Sequence, residues 1–248
     1  MGPMPAPPPP TAPVALVTGG VRGIGLACAR RLQARGDRVH VGYFRSAERA
    51  AALEPELGGR LHRADLRDPD QVERLVAAVV ARDGRLDHVV HAVGDYACGP
   101  LEGLGLAELR ELFASNLETS FLVAAAARPH LRASAGRLVC FGTAGLEGLR
   151  AKRETAAYAA AKSALLVLVR SLAVEEAPHG VTVNLVSPGL VPHEAAHPAA
   201  RAAAGRSAIP AGRPGRPEDV AAAVAWLCSP DSAYTTGSNL VVSGAWML

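Results

Sequence analysis

The chain contains 248 residues, 49% of them hydrophobic, and its formal net charge at pH 7 is +3. This length and apolar content suffice for one compact domain, and the small, dispersed charge argues against a nucleic acid or an anionic membrane as partner. The four cysteines show neither Cys-x-x-Cys spacing nor the density of a disulfide scaffold, so we expect a reducing, cytoplasmic location. We expect no membrane-spanning segment, because no apolar run approaches ~20 residues and no secretion signal is recognisable.

Residues 1–13 form a proline-rich segment at the start of the chain. Such a segment cannot bury enough apolar surface to order itself, so we predict a disordered tail. A role for this tail in docking through a proline motif stays open. Residues 14–248 are predicted to form a single domain.

The first predicted strand, residues 14–17, runs directly into the glycine-rich segment 18–25, and residues 26–34 then have helical composition. Glycines let the backbone turn tightly and come close to a ligand, while the new helix offers unpaired N–H groups to a pyrophosphate. A strand, a glycine turn and a helix together predict a dinucleotide site. The spacing is Gly-x-x-x-Gly-x-Gly, which fits the commoner Gly-x-Gly-x-x-Gly pattern only loosely.

Short apolar runs alternate with longer helical patterns along the rest of the chain. We predict further strands at residues 38–43, 61–64, 88–93, 137–141, 181–186 and 240–242. This alternation predicts an α/β fold, in which a doubly wound, Rossmann-like parallel sheet of about seven strands carries helices on both faces. Cofactors on such sheets bind beyond the carboxyl ends of the strands, where the strand order reverses.

The end of the second predicted strand indicates which cofactor is bound. An acidic residue there would bind the ribose hydroxyls of NAD and repel a 2′-phosphate, but residues 41–46 contain no acid. Arg45 and Ser46 can instead bind a phosphate through charge and a hydroxyl contact. The sequence therefore predicts NADPH/NADP⁺, the alternative being that Arg45 and Arg22 are both solvated surface charges.

Tyr158 and Lys162 stand four residues apart in an alanine-rich segment, and Lys152 is the only other lysine of the chain. At helical pitch this spacing places an ammonium beside a phenol. A partly desolvated cation can lower the pKa of tyrosine from ~10 by about two or three units. The pair predicts a tyrosine that acts as an acid near neutral pH, and the alternative is a solvated helix face.

Taken together, the segment 18–25 and the Tyr158–Lys162 pair resemble the motifs of the short-chain dehydrogenase/reductase family. The resemblance extends over residues 14–248 and is nearest to the 3-oxoacyl carrier-protein reductases. It implies an NADPH-dependent enzyme that reduces a ketone to a secondary alcohol, with a small-molecule ketone or 3-oxoacyl thioester as substrate. It also implies a homotetramer or homodimer.

The resemblance implies roles for individual residues. Tyr158 would protonate the carbonyl oxygen, Lys162 would lower the pKa of Tyr158 and bind the nicotinamide ribose, and Asn116 would hold a water. Thr143 stands where the family has a serine, and its hydroxyl can polarise the carbonyl in the same way. A basic residue at the position of Arg22 usually accompanies NADP in this family. The cofactor-binding residues implied are Thr18, Gly19, Arg22, Gly23, Ile24, Gly25, Arg45, Ser46, Asp65, Leu66, Gly94, Tyr158, Lys162, Pro188, Gly189 and Val191.

Other positions depart from the pattern of the family. Residues 91–94 read His-Ala-Val-Gly in place of Asn-Asn-Ala-Gly, and His193 replaces a threonine that binds the carboxamide. The segment between Thr143 and Tyr158 carries three basic residues, Arg150, Lys152 and Arg153. These can attract an anionic acyl thioester or can form a solvated loop.

Residues 193–197 spell His-Glu-Ala-Ala-His, the pattern of zinc proteases. Pro198 ends the run after barely one turn and no third ligand is apparent, so we predict no metal site. Other readings remain open for the whole chain: a reductase of another carbonyl, a quinone or a pterin, a non-catalytic NADPH-binding sensor or partner subunit, and a structural oligomer.

Overall fold

The computed structural model describes residues 12–148, 150–192 and 209–247. Seven parallel strands form one sheet in the order β3-β2-β1-β4-β5-β6-β7, which confirms the predicted α/β class. The strands are β1 (Val14–Thr18), β2 (Arg38–Tyr43), β3 (Leu61–Arg63), β4 (His88–His91), β5 (Arg137–Phe141), β6 (Thr182–Pro188) and β7 (Asn239–Val242).

Helices cover both faces of the sheet. They are α1 (Gly23–Ala34), α2 (Ala47–Leu57), α3 (Pro69–Asp83), α4 (Leu106–Phe113), α5 (Thr119–Ser134), α6 (Ala156–Glu176) and α7 (Pro217–Leu227), and a π-helical turn (Ala114–Glu118) joins α4 to α5.

Each face of the sheet has its own hydrophobic core. One core lies between the sheet and helices α3, α5 and α6, and the other lies between the sheet and helices α1, α2 and α7. Successive residues of β1 alternate between the two cores, with Val14 and Leu16 in the first and Ala15 and Val17 in the second. A strand buried on both faces needs a continuous apolar run, which is why the strands were recognisable in the sequence.

The order of the strands reverses beside β1. Strand β1 pairs with β2 on one side and with β4 on the other, so connections leave in opposite directions from their carboxyl ends. A crevice forms at such a point, because the loops after the two strands diverge. The chain segments following β1, β2, β4, β5 and β6 meet around this crevice.

Several predicted boundaries differ from the structure, and those of β4 and α1 are two examples. Strand β4 ends at His91 and not at Val93, because its neighbour β1 turns away after Thr18 and leaves no partner beyond the Thr18–His91 pair. Helix α1 begins at Gly23, three residues before the predicted start, since the last residues of the glycine turn already form its first turn. Of the predicted tail, residues 1–11 lie outside the described residues.

The segment Ala156–His179 is long and apolar enough to cross a membrane by length and composition, contrary to the expectation from the sequence. In the structure it forms α6 and a short 3₁₀ turn, and α6 packs against β6. Its buried residues include Leu165 and Val169 of the first core. The core helix of a globular fold meets the same criterion.

Candidate active site

A cavity of about 510 Å³ lies at the carboxyl ends of the strands, where the strand order reverses. It is lined by every cofactor-binding residue predicted above except Thr18 and Gly23, and by three of the four predicted catalytic residues. Asn116 does not line the cavity, because it is fully buried behind Gly94. The residues that the sequence places far apart along the chain thus meet in one place.

The glycine turn after β1 is too tightly packed for side chains. A Cβ on Gly19 would collide with the carbonyl oxygen of Ala92, and a Cβ on Gly25 would collide with that of Gly19. Gly19 also has φ +71°, which favours glycine. The turn leads into the N-terminus of α1, where Arg22 makes no side-chain cap. The free N–H groups of this first turn suit a phosphate, so the residues present fit a pyrophosphate.

Basic side chains surround the far end of the cavity, beyond β2. Arg45 is exposed, with its guanidinium carbon 5.8 Å from the centre of the Phe44 ring, and Ser46 lies beside it in the cavity wall. No carboxylate lies at residues 41–46 to repel a 2′-phosphate. The fit is therefore to a phosphorylated ribose rather than to one with two free hydroxyls.

Asp65 accepts hydrogen bonds from an arginine that was not identified from the sequence. Both carboxylate oxygens of Asp65 accept hydrogen bonds from the side chain of Arg67, each at 3.1 Å. Arg67 also donates to Glu111 of α4 at 2.7 Å, and both residues line the cavity. The hydrogen bonds from Arg67 lower the pKa of Asp65, so this carboxylate stays charged.

Tyr158 and Lys162 lie on the first turns of α6. The Nζ atom of Lys162 is 5.8 Å from the centre of the Tyr158 ring and donates a hydrogen bond of 2.7 Å to the backbone oxygen of Phe141. Only 4% of Lys162 is exposed, and burial lowers its pKa to about 8. Helical spacing thus places the two groups together, as the sequence indicates.

Burial raises the pKa of Tyr158, and the neighbouring Tyr96 adds to this effect. A hydrogen bond with the hydroxyl of Thr143 acts in the opposite direction. The expectation from the sequence was a pKa lowered by Lys162, so the structure differs on this point. A hydroxyl with a raised pKa is protonated at neutral pH, so its proton is available for transfer, but it is a weaker acid than the sequence led us to expect.

Asn116 belongs to the π-helical turn between α4 and α5. Its Nδ2 donates to the backbone oxygens of Leu112 and Asp95, both at 2.9 Å. Its Oδ1 is buried and has no hydrogen-bond partner among the described residues. This oxygen faces Gly94, and the Nζ of Lys162 lies nearby. An unsatisfied buried acceptor beside a cation is suited to bind a water.

His91 replaces the first asparagine expected after β4, and it connects two parts of the site. Its Nδ1 lies 2.8 Å from the hydroxyl of Thr18 and its Nε2 lies 3.2 Å from the hydroxyl of Thr119. Thr119 donates its proton to the backbone oxygen of Ser115, so it accepts from Nε2–H, and Nδ1 accepts from Thr18. Burial lowers the pKa of His91 to about 3, so the ring stays neutral.

Several further residues of the cavity were not found from the sequence. Tyr96 packs edge-on against Tyr158, with the ring centres 4.9 Å apart, and Trp246 and Met247 enter from the C-terminal segment. Lys152 lines the cavity, whereas Arg150 and Arg153 do not. These contacts arise from packing between segments that are far apart along the chain, and no local sequence pattern predicts them.

The zinc-protease pattern and His193 lie outside the described residues. Within residues 12–148, 150–192 and 209–247, no group of three or more histidines, cysteines or carboxylates is arranged to hold a metal ion.

Comparison with known proteins places the chain in a family. A family model described as enoyl-(acyl carrier protein) reductase matches residues 19–246. The L-fucose dehydrogenase of Oryctolagus cuniculus is 35% identical over 93% of this chain and 84% of its own length. The 3-oxoacyl-(acyl-carrier-protein) reductase of Escherichia coli K12 is 34% identical over 93% of this chain and 96% of its own.

A solved structure supports the same family assignment. The short chain dehydrogenase from Burkholderia cenocepacia, solved in complex with NADP, is 35% identical and superposes with a TM-score of 0.83 over 93% of this chain and 96% of its own. The glycine turn, the Tyr158–Lys162 pair and the parallel sheet agree with this match. The chain is an oxidoreductase that belongs to the short-chain dehydrogenase/reductase family.

Proposed function

We propose that this protein is an NADPH-dependent reductase that converts a ketone to a secondary alcohol, with 3-oxoacyl thioesters as the leading substrate class. The observation that carries the proposal is the convergence of Thr143, Tyr158 and Lys162 in one cavity, with the unsatisfied Oδ1 of Asn116 directly behind it. A proton donor, a second hydroxyl and a buried cation are the groups that carbonyl reduction requires.

NADPH would supply the hydride when it is bound. The glycine turn and the N-terminus of α1 would hold its pyrophosphate, and Arg22, Arg45 and Ser46 would hold the 2′-phosphate. Asp65 and Leu66, which line the cavity, would contact the adenine. Lys162, Pro188, Gly189 and Val191 would complete the nicotinamide end. The NADP complex of the relative from Burkholderia supports this cofactor.

The chain's own residues would handle the proton. Tyr158 donates its hydroxyl proton to the carbonyl oxygen of the substrate, and the hydroxyl of Thr143 donates a hydrogen bond to the same oxygen. The charge of Lys162 stabilises the phenolate that remains. A water held by the Oδ1 of Asn116 links Lys162 to a proton source. The neutral His91 would hold Thr18, at the start of the glycine turn, and Thr119 in fixed positions during the proton transfer.

Support for an acyl thioester comes from Lys152 and from the reductase of Escherichia coli. The name of the rabbit relative points to a sugar, so a sugar belongs in any test of substrate class. We further propose that residues 14–248 act as one domain, that the protein is cytoplasmic, and that it assembles as a homotetramer or homodimer. Phe121, Val167 and Val174 support assembly, since they are apolar and 52%, 66% and 77% exposed.

The test is oxidation of NADPH, followed by its absorbance, with acetoacetyl thioesters, cyclic ketones, quinones and pterins, and reduction of NADP⁺ with L-fucose. We expect turnover of one class by the wild type and its loss in Tyr158→Phe, with NADPH still bound. Tyr234→Phe is the matched control, because Tyr234 is fully exposed and does not line the cavity.

Each result has a clear meaning. Turnover that survives in Tyr158→Phe contradicts the assigned proton donor. Tight binding of NADPH without turnover of any substrate favours a non-catalytic sensor or partner subunit. Absence of NADPH binding contradicts the proposal as a whole.

A further inference from the structure

A second cavity, of about 240 Å³, adjoins the first. Thr155 and Tyr158 line both cavities. On the loop after β4, Tyr96 lines the first cavity and Ala97 lines the second, so the boundary passes between consecutive residues. The two cavities therefore meet at the tyrosine that is the proposed proton donor.

The size of the second cavity limits what it can hold. Pockets for whole ligands usually measure ~300–1,000 Å³, so a space of about 240 Å³ accommodates part of a ligand. Because Tyr158, the proposed proton donor, lines both cavities, we take the remainder of that ligand to be the ketone itself. The second cavity is thus suited to one of the two substituents on the carbonyl carbon.

The side chains of the second cavity indicate which substituent. Most are small or apolar, with Pro100, Leu101 and Leu104 on the loop that precedes α4. Its charged lining residues are both acids, Glu108 and Glu154, whereas five basic residues and three acids line the first cavity. Carboxylates disfavour an anionic group and leave a neutral chain as the better occupant.

We propose that the second cavity binds the neutral, apolar substituent of the ketone, while the polar or anionic end of the substrate lies on the Lys152 side of Tyr158. The inference rests on the proposed reductase function and specifies the substrate class further. For a 3-oxoacyl thioester, the alkyl end enters the second cavity and the thioester end stays in the first. Each methylene buried there should raise kcat/KM about fourfold until the cavity is full.

Two leucines offer a matched test. Leu101 and Leu106 are both 61% exposed, but Leu101 lines the second cavity and Leu106, on α4, lines neither. Each is replaced by tryptophan, and kcat/KM is measured with NADPH and neutral N-acetylcysteamine thioesters of increasing 3-oxoacyl length. We expect the wild type and Leu106→Trp to show the same increase with chain length. Leu101→Trp should lose this increase with chain length.

Equal chain-length dependence in both tryptophan variants would overturn the inference, as would a wild type that does not distinguish short from long chains. Loss of the increase in Leu106→Trp would overturn it too, since that residue does not touch the cavity. A general loss of folding shows instead as an equal fall for every substrate, and the second measurement below does not depend on these variants.

Cys98 supplies that measurement. It lines the second cavity and is exposed, whereas Cys28, Cys140 and Cys228 are buried. N-ethylmaleimide adds the thiol across its double bond, forms a C–S bond and places a ring in the cavity. Intact mass gives the rate of this alkylation in the wild type, with Cys98→Ser as the unreactive control.

We expect 3-oxoacyl compounds to slow the alkylation of Cys98 more strongly as their chains lengthen. This readout does not need turnover, so it separates the two proposals. Protection that grows with chain length in a protein that reduces no ketone would retain the subsite and remove the reductase. Turnover of ketones without any protection of Cys98 would retain the reductase and remove the subsite.

Discussion

Gly94 occupies the point where the backbone of the β4 loop approaches the buried groups of the site. A Cβ at this position would collide with Oδ1 of Asn116 and would lie 3.3 Å from Nζ of Lys162. We therefore expect Gly94→Ala to displace both groups and to lower kcat about a hundredfold, as displacements of about 1 Å can do. Steady-state kinetics and the thermal midpoint would be compared with Gly105→Ala, where a Cβ meets nothing within 4 Å. Unchanged turnover in Gly94→Ala would show that the close packing is not needed.

The buried charge of Lys162 lowers the free energy of unfolding, although the residue belongs to the candidate active site. Its pKa falls from 10.5 to about 8, so the unfolded chain binds this proton more tightly than the folded one does. The penalty is ~3 kcal/mol below pH 8, and it disappears as the pH rises above 10.5. We expect Lys162→Met to raise the free energy of unfolding at pH 7 by about 2 kcal/mol, allowing for the lost bond to Phe141, and to abolish turnover.

Denaturant unfolding at neutral and alkaline pH would test this. The gain in stability should shrink as the pH rises, because the wild-type lysine then becomes neutral in both states. Lys152→Met is the control, and its gain should be smaller since Lys152 is only half-buried. A loss of stability in Lys162→Met at neutral pH would contradict the argument.

At the scale of single elements, α6 has two faces with different tasks. One face carries Tyr158 and Lys162 into the cavity, and the other exposes Val167 and Val174, which lie seven residues apart and so share a side of the helix. The buried face and these exposed valines together account for the apolar length that satisfies a membrane criterion. The proposed catalytic pair is therefore located on the same helix that carries the proposed assembly surface.

We expect a charge on this surface to break the assembly. Val167→Glu would place a carboxylate against the apolar face of a second copy, and burying an unpaired charge is strongly unfavourable. Light scattering after size exclusion should show smaller particles than the wild type gives. Leu106→Glu is the control, as an exposed leucine on α4 outside this face. A wild type that is already monomeric, or a variant of unchanged size, would contradict the proposed assembly.

For the whole molecule, four buried or half-buried histidines should make the fold sensitive to acid. Burial lowers the pKa of His62 and His88 to about 4 and that of His91 to about 3, and it also lowers the pKa of His40. Each ring binds a proton more weakly in the folded state than in the unfolded state, where the value is 6.5. Their contribution to stability is thus complete above pH 6.5 and is lost as the pH falls towards 4.

Calorimetry over this range should show a thermal midpoint that decreases steadily with falling pH. In His88→Gln, the free energy of unfolding should change less steeply with pH than in the wild type. The difference in slope should be about 1.4 kcal/mol per pH unit, which corresponds to one proton. The same change at the exposed His179 is the matched control. A midpoint that stays constant between pH 6.5 and 4 would contradict neutral, buried histidines.

The fold was largely predictable, and the site only partly so. Strands buried on both faces require continuous apolar runs, and a glycine turn before a helix has few alternatives, so both are visible locally. Lys162 and Tyr158 are visible because helical spacing joins them. Tyr96, Arg67 and Trp246 reach the cavity through contacts between segments far apart in the chain. Nothing in the neighbouring residues records such contacts, and the same holds for the raised pKa of Tyr158, which depends on burial.

The π-helical turn at Ala114–Glu118 depends on the number of residues between α4 and α5. Such a turn amounts to one residue inserted into an otherwise continuous helical rod that runs from α4 into α5. Deleting a single residue there would restore regular winding and rotate everything on one side of the deletion by about 100° relative to the other. The amide of Asn116 would then point away from Gly94. The extra residue of the π-helical turn therefore orients the Oδ1 atom of Asn116 towards Gly94 and Lys162. After such a deletion, no substitution that keeps the shorter chain length could restore this orientation.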